Sequence, residues 1–258
     1  MKTSIDCFRI NGITIQIHAS WLIALILVAW FLGEGILQQH FPNWSFELRI
    51  GLGVMGTLVI FLSVLLHELA HSFTARRLGL PAESITLFVF GGISNLGDAP
   101  SRARDEFAIP ISGPATSLLL AGIFSGVLEM FPALFRTPAG MILSYCATIN
   151  FFLGTFNLIP GLPLDGGRIF RSVIWRWTGD QVRATNIASG AGQVTGWLIL
   201  LLGLYQIAIG SVLTAIWLVT IGWFLKTSAR NSGFKTTLGK PSNFPNASEY
   251  PLTNTQKL

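Results

Sequence analysis

One apolar stretch decides the fold: residues 50–78 read IGLGVMGTLVIFLSVLLHELAHSFTARRL. At 1.5 Å per residue, a helix of this length crosses the roughly 30 Å hydrocarbon core of a bilayer. The stretch nevertheless carries His67, Glu68 and His71 shortly before the basic pair Arg76 and Arg77. Polar side chains inside a membrane span are costly, and most of them serve a function. The stretch therefore predicts both a membrane helix and a site within it.

The two histidines stand four residues apart, a spacing that places both imidazoles on one face of a helix. Two imidazoles on one face can bind a single metal ion. Glu68 lies beside them, and in metallohydrolases such a glutamate is the general base. The alternative is a pair of hydrogen-bonded histidines packed in a helix bundle. That alternative is less favourable here because Glu68 would also need a partner within the lipid.

The rest of the chain matches a membrane protein. Hydrophobic residues make up 51% of it and charged residues only 11%, whereas soluble domains are about a quarter charged. We therefore expect an all-α polytopic membrane protein. Residues 1–18 form an interfacial strand, residues 19–230 a six-helix membrane domain and residues 231–258 a flexible cytoplasmic tail. The apolar segments cover residues 19–37, 50–78, 107–131, 139–159, 186–209 and 211–225, and the last two nearly adjoin, which predicts a tight helical hairpin.

The basic residues predict how the chain is oriented. An even number of spans puts both termini on one side, and 15 of the 17 Lys and Arg residues fall on that side; only Arg49 and Arg136 fall on the other. The positive-inside rule makes the richer side cytoplasmic. The net charge of +5 is therefore a sign of topology, and no nucleic-acid partner is expected. We predict a multi-pass protein of a prokaryotic-type cell membrane with both termini in the cytoplasm.

Two short stretches have the pattern of strands. Ile13, Ile15 and Ile17 alternate within residues 12–21, which indicates a strand at the membrane interface. Residues 84–97 predict a β-hairpin that turns at Gly91 and Gly92. Backbone at membrane depth must be covered by protein or line a wet cavity, so we expect a re-entrant hairpin, or a small sheet, near the active site. An ordinary interfacial loop is the alternative.

A hydrolytic zinc site has three protein ligands and one open position. Of the other two histidines, His18 lies at the start of the first span and His40 in an external loop, so both are expected to be interfacial or structural. The third ligand should then be a carboxylate. His67 lies nine residues before Arg76, about 14 Å below the cytoplasmic surface, and the ligand should lie at that depth.

Asp165 is the acid that fits this depth, just before Arg168 at the cytoplasmic end of the fourth span. Glu129 falls in the opposite leaflet, while Asp98 and Asp180 fall in polar segments. On this interpretation Glu68 and Asp165 are the two acids within the membrane. Both would serve catalysis or metal binding.

The segment before Asp165 is irregular. Residues 157–168 read NLIPGLPLDGGR, and their prolines and glycines, Gly166 among them, break the span and let backbone approach a metal. Asn157 could donate a hydrogen bond to an oxyanion or a substrate carbonyl, or it could cap the broken backbone. Asn150, seven residues earlier on nearly the same face, could serve interhelical packing or support of the site.

The chain resembles the site-2 protease family of intramembrane zinc metalloproteases from about Gly12 to Arg230. The resemblance rests on HELAH at residues 67–71, on FNLIPGLPLDGGR at residues 156–168 and on SGPA at residues 112–115. It implies that one Zn²⁺ ion is bound by His67, His71 and Asp165, that Glu68 is the catalytic glutamate and that Asn157 contacts the scissile segment. The layout is similar to a microbial branch that often carries CBS domains. Only residues 227–258 remain after the last span, so nucleotide regulation through such domains is not expected.

The sequence thus predicts an intramembrane zinc metalloprotease with its active site toward the cytoplasmic leaflet. Its expected substrate is a single-span transmembrane protein in the lipid bilayer, and the predicted hairpin would hold the unwound segment as an added strand. Three alternatives remain: a metal transporter that uses the same His and Asp residues as a transit site, a membrane metallopeptidase of another type, and an inactive adaptor.

Overall fold

The structure is a computed structural model that describes residues 4–89, 91–97 and 100–238. The tail after Leu238, and Asp98, lie outside the described residues. The α-helices are α1 (Ser20–Trp30), α2 (Gln38–His40), α3 (Phe46–Arg77), α4 (Ala103–Met130), α5 (Pro138–Asn157), α6 (Asp165–Thr178), α7 (Gln181–Ala208) and α8 (Val212–Leu238). The strands are β1 (Ser4–Ile10), β2 (Ile13–His18), β3 (Ala82–Phe88) and β4 (Gly91–Leu96).

Six helical segments of the described chain are long and apolar enough to cross a membrane. The first runs without interruption through α1, a π-helical segment at Phe31–Leu37 and α2. The candidate spans are Ser20–His40, Phe46–Arg77, Ala103–Met130, Pro138–Asn157, Gln181–Ala208 and Val212–Ser232. The prediction of a six-helix integral membrane protein is confirmed. The helices extend beyond the apolar segments at several ends, because charged and polar first and last turns continue them.

Helix α6 was not expected from the sequence. It has 14 residues, about 21 Å at 1.5 Å per residue, and is therefore too short to span a bilayer. It begins at Asp165, after Leu164 in an extended conformation, and ends at Gly179, which adopts the left-handed conformation usual at helix C-termini. A short helix with alternating apolar and basic positions gives no apolar run, so hydropathy alone does not reveal it.

The four strands form one sheet in the order β1-β2-β3-β4. Strands β1 and β2 form a hairpin through Asn11 and Gly12, which both have positive φ, as a type I′ hairpin turn requires. Strand β2 then pairs in parallel with β3, and β3 pairs antiparallel with β4. The two strand-like stretches are thus confirmed as strands and belong to a single sheet.

The predicted glycine turn of the second hairpin is wrong in position. Gly91 and Gly92 pair with Phe88 and Leu87 as the first residues of β4. The reason lies in packing: a Cβ atom at Gly92 would come within 2.4 Å of Cγ of Glu68. The glycine is therefore needed where the strand passes Glu68 of α3 rather than where the chain turns.

The sheet packs on α3, the helix that carries the histidine pair. A buried cluster joins the two elements, and its members are Ile13, Ile15, Leu65, Leu69, Ile85 and Leu87. Leu65 and Leu69 lie one turn apart on α3. At about 100° per residue they face away from His67 and His71. One side of α3 is thus anchored by the sheet while another side is left for the histidines.

An ion pair between the first two spans adds Glu34 to the two acids that were expected within the membrane. Glu34, in the π-helical segment, accepts hydrogen bonds from Arg49 Nε at 2.9 Å and from Arg49 Nη2 at 3.3 Å. Arg49 also donates to the carbonyl oxygen of Trp44 and is buried. Glu68 and Asp165 are therefore not the only acids within the helical bundle, and Glu34 has a structural partner.

The tight hairpin predicted for the last two spans is present. Helices α7 and α8 are joined by residues 209–211, with Gly210 at positive φ. Glycines let the two helices approach closely: a Cβ atom at Gly196 would lie 2.7 Å from the backbone nitrogen of Lys226, and one at Gly203 would lie 2.8 Å from Val219 Cγ2. Small residues at such contacts are typical of membrane helix packing.

The contact between α1 and α3 provides a test of this packing. A Cβ atom at Gly53 would lie 2.3 Å from the carbonyl oxygen of Ala29, whereas one at Gly51 would have nothing within 4 Å. We expect Gly53→Ala to lower the free energy of unfolding by about 1–3 kcal/mol because backbone must move. Gly51→Ala should leave it unchanged or raise it. Thermal unfolding of both variants in one detergent checks this, and equal melting temperatures would contradict the described contact.

Candidate metal centre

The histidine pair is buried on α3 and its rings stand edge to face, with centroids 4.9 Å apart. Each ring is fixed through Nδ1. Nδ1 of His67 lies 2.8 Å from Oγ of Ser117, and Nδ1 of His71 lies 2.8 Å from the carbonyl oxygen of Ile109. A carbonyl only accepts, so Nδ1 of His71 donates to it, and in the neutral ring Nε2 then carries the lone pair that a metal ion would bind. Such outer hydrogen bonds orient metal-binding imidazoles.

Asp165 reaches these rings from the other side of the cavity. As the first residue of α6, it brings Oδ2 to 3.2 Å from Nε2 of His67 and to 3.2 Å from Nε2 of His71. Burial raises the pKa of Asp165, but its interactions with the two imidazoles lower the pKa more, so the pKa lies below its ordinary value. One carboxylate oxygen thus faces both imidazoles.

The three side chains fit a metal ion. In its neutral form His71 would direct the Nε2 lone pair toward a carboxylate oxygen 3.2 Å away, an arrangement that a metal ion between the two atoms would stabilise. Tetrahedral zinc with ligands at about 2.0–2.1 Å keeps them roughly 3.3 Å apart. Among the described residues these three are the one group of His, Cys, Asp or Glu side chains found close enough to hold a metal. The prediction that His18 and His40 stay apart from the cluster agrees with this.

Helix α4 supports the histidines from behind. Ile109, Gly113 and Ser117 follow each other at intervals of four residues, so they share one face of α4. Ile109 and Ser117 hold the two Nδ1 atoms, and Gly113 makes room for the Nε2 atoms. A Cβ atom at Gly113 would lie 2.3 Å from Nε2 of His71 and 2.6 Å from Nε2 of His67. The motif at residues 112–115 was quoted for the family resemblance, but this role was missed.

A cavity of about 290 Å³ opens beside the cluster. Its lining residues include the three candidate ligands together with Glu68, Gly91, Gly92, Ser94, Asn157 and Arg168. Glu68 accepts a hydrogen bond of 2.6 Å at Oε2 from Ser94 Oγ, and Ser94 in turn lies 3.4 Å from Ser72 Oγ. Ser94 was not singled out from the sequence. Its position on β4, two residues after Gly92, is the signal that would have found it.

The other candidate residues differ in how close they come to this cavity. Asn157 is the last residue of α5 and lines the cavity, with Nδ2 donating to the Leu153 carbonyl at 3.0 Å. Asn150 is fully buried, donates to the Cys146 carbonyl at 2.8 Å and is not part of the lining. Gly166 is a close-packing position, because its Cβ atom would lie 2.3 Å from the Leu158 backbone. The roles assigned to these residues in binding or catalysis stay predictions.

A second buried carboxylate near the site was missed. Glu106, on α4, is fully buried, and its Oε1 accepts hydrogen bonds from Arg168 at 3.3 Å and from Arg171. Arg168 also lines the cavity. Both arginines had been counted only as signs of topology. Their spacing of three residues, together with an acid at the start of the third span, is the pattern that would have suggested the pair.

Comparison with known proteins identifies the class to which this fold and site belong. The family model described as "Peptidase family M50" matches residues 55–134 and 125–202. The chain therefore belongs to peptidase family M50, and its resemblance to the site-2 proteases is confirmed.

Individual proteins agree with this assignment. A relative from Mycobacterium tuberculosis named "Putative zinc metalloprotease Rip3" is 40% identical over 89% of this chain and 58% of its own length. A Synechocystis protein named "Putative zinc metalloprotease sll0528" is 37% identical over 91% of this chain and 62% of its own length. The solved structure of a site-2 protease from Methanocaldococcus jannaschii matches with a TM-score of 0.60 and 27% identity, covering 89% of this chain and 95% of that one. The chain spans about 60% of the length of these two curated relatives.

The role of Gly113 can be tested against a second glycine of the same helix. We expect Gly113→Ala to weaken zinc binding at least tenfold, because the added methyl would displace both Nε2 atoms. Gly122→Ala is the matched control, since its Cβ atom would have nothing within 4 Å. Zinc retained after dialysis against a graded chelator series measures the difference. Equal retention by both variants would contradict the described geometry.

Proposed function

We propose that this protein is an intramembrane zinc metalloprotease that hydrolyses peptide bonds within or near the transmembrane segments of membrane proteins. One observation carries the proposal: His67, His71 and Asp165 converge in a cavity that also contains Glu68, within a bundle of membrane-spanning helices. Membership of family M50 and relatives named zinc metalloproteases support the same conclusion.

In this proposal the three clustered side chains bind one Zn²⁺ ion, and each remaining residue has a stated task. When bound there, zinc supplies a Lewis acid that acidifies water and polarises a carbonyl oxygen. Glu68 removes a proton from the attacking water and later passes it to the leaving amine. Asn157 uses one Nδ2 hydrogen for the Leu153 carbonyl and has a second for the developing oxyanion.

The sheet supports a way to hold the substrate. A transmembrane helix hides its carbonyls in its own hydrogen bonds, so it must unwind before hydrolysis. Strand β4 is an edge strand of the four-stranded sheet formed by the described residues, and it lines the cavity at Gly91, Gly92 and Ser94. An unwound segment added along β4 would recover the backbone hydrogen bonds that it loses on unwinding. Gly92 lets β4 pass close to Glu68, so a segment added along β4 would lie near that side chain.

The charge distribution supports an orientation with both termini and the mouth of the site in the cytoplasm. Arg76 and Arg77 end α3 six residues after His71, and Arg168 lies in the cavity itself. We propose a prokaryotic-type cell membrane as the location and a single-span membrane protein as the substrate. The relatives from Mycobacterium and Synechocystis agree with such a host.

The described residues favour hydrolysis over metal transport. A transporter needs further ligands along a path across the membrane, but one candidate metal cluster was found in the described chain. Glu129, the outer acid considered from the sequence, lines a different cavity of about 630 Å³ between α4 and α5. Glu34 is engaged by Arg49.

Replacing the general base tests the mechanism. We expect Glu68→Gln to retain zinc but to lower the cleavage rate by about 10²–10⁴, because general-base catalysis contributes that much. Cleavage is measured by co-expression with candidate single-span membrane proteins and mapping of the cut site. Glu129→Gln, on the other side of α4, is the control and should cleave normally. Cleavage that persists in Glu68→Gln, or zinc flux without cleavage, would overturn the proposal.

Two asparagines of α5 form a matched pair for the oxyanion role. Each donates to the carbonyl four residues before it, but Asn157 lines the cavity and Asn150 does not. We expect Asn157→Ala to lower kcat by about 10²–10³. Asn150→Ala should lower thermal stability while kcat stays within a few-fold. Equal loss of kcat in the two variants would argue against an oxyanion role for Asn157.

A further inference from the structure

A fully buried carboxylate joins α4 to the helix that carries the third candidate ligand. Oε1 of Glu106 accepts hydrogen bonds from Nε of Arg168 at 3.3 Å and from Nη2 of Arg171. The two arginines follow Asp165 by three and six residues on α6. Glu106 has no exposed surface, and the side chains of Arg168 and Arg171 are 26% and 19% exposed. One carboxylate thus receives two of the three arginines of α6.

The convergence depends on a single oxygen. Both guanidinium groups donate to Oε1 of Glu106. Oε2 of Glu106 and Nε of Arg171 have no hydrogen-bond partner among the described residues. A buried carboxylate without its cations would be strongly destabilising. The energetic preference for keeping this contact therefore fixes where the first two turns of α6 lie relative to α4.

The same helix α4 also fixes the histidines. Glu106 precedes Ile109 by three residues and Gly113 by seven, which places the three residues near one face of α4. On that face the Ile109 carbonyl accepts a hydrogen bond from Nδ1 of His71. Gly113 on the same face leaves space for Nε2 of both histidines, because it has no side chain. Helix α4 is therefore in contact with both halves of the candidate metal centre, and Glu106 is its contact with the Asp165 half.

We propose that Glu106 is a positioning residue that holds Asp165 as the third metal ligand through Arg168 and Arg171. Glu106 belongs neither to the candidate metal cluster nor to the lining of the cavity beside it. The inference rests on the proposed function, because it presumes that the three clustered side chains bind zinc. A merely structural ion pair would stabilise the fold without affecting metal binding. The test must therefore separate the two effects.

The chain offers a matched control in the Glu34–Arg49 pair. It is also a carboxylate–guanidinium pair with little exposure, but Arg49 precedes His67 on α3 by 18 residues, about 27 Å along the helix. Glu106→Gln and Glu34→Gln should each lower the melting temperature of the full chain in detergent. Only Glu106→Gln should weaken zinc binding. We expect a loss of about 10–100-fold, the size typical when a group that orients metal ligands is removed. Competition with a chelator of known affinity measures this.

Cobalt absorption and a double-mutant cycle on metal affinity are two measurements that would not change if Glu106 only stabilised the fold. We expect Glu106→Gln to change the visible absorption of the Co²⁺ form, since those bands report the ligand geometry, and Glu34→Gln to leave it unchanged. In an Asp165→Asn background, Glu106→Gln should cause little further loss of metal affinity, because its effect passes through Asp165. If Glu106→Gln does not fold, Arg168→Gln takes its place in the same measurements.

The outcomes separate the two hypotheses. If the wild type binds zinc and Glu106→Gln, or its substitute Arg168→Gln, retains wild-type zinc affinity and cobalt absorption, the positioning role is wrong while the proposed metal site stands. If the effects of Glu106→Gln and Asp165→Asn on zinc affinity simply add, the role is also wrong. A wild-type protein that binds no zinc overturns both the metal site and this inference.

Discussion

The meeting of one carboxylate oxygen with two imidazole nitrogens is the constraint on which the rest of the structure depends. Oδ2 of Asp165 lies 3.2 Å from Nε2 of each histidine, across a separation of 98 residues between His67 and Asp165. Several features of the chain serve this contact. The fourth span stops at Asn157, irregular backbone follows, and a new helix starts at the aspartate itself.

Helix α3 is held between two supports of different character. The sheet packs on its apolar side and also reaches Glu68 through Ser94 and Gly92. Helix α4 supports the opposite side with one carbonyl, one hydroxyl and one glycine. In a membrane the hydrophobic effect does little to bring helices together, so close packing and buried polar contacts must specify the arrangement. The candidate centre concentrates both kinds of contact in one place.

Much of the centre was predictable from the sequence, because its signals are local or costly in lipid. The spacing of His67 and His71 fixes one helix face, and few acids lie at the depth of Asp165. What was missed depends on which side chains meet. Glu34 and Glu106 were not singled out, because their arginine partners lie 15 and 62 residues away in sequence. Helix α6 lacks an apolar run, and the need for glycine at position 92 arises only because β4 passes Glu68. Such contacts between distant segments leave no local pattern.

The distance in sequence between the candidate ligands has a consequence for the unfolded chain. A metal ion held by His67, His71 and Asp165 would be a cross-link that closes a loop of 98 residues. Covalent cross-links around loops of about 100 residues reduce the entropy of the unfolded state by an amount worth roughly 4–5 kcal/mol. The two helices that such a loop separates would then be kept together by chain topology as well as by packing. Loss of the metal would thus loosen the bundle beside the cavity that the candidate ligands line.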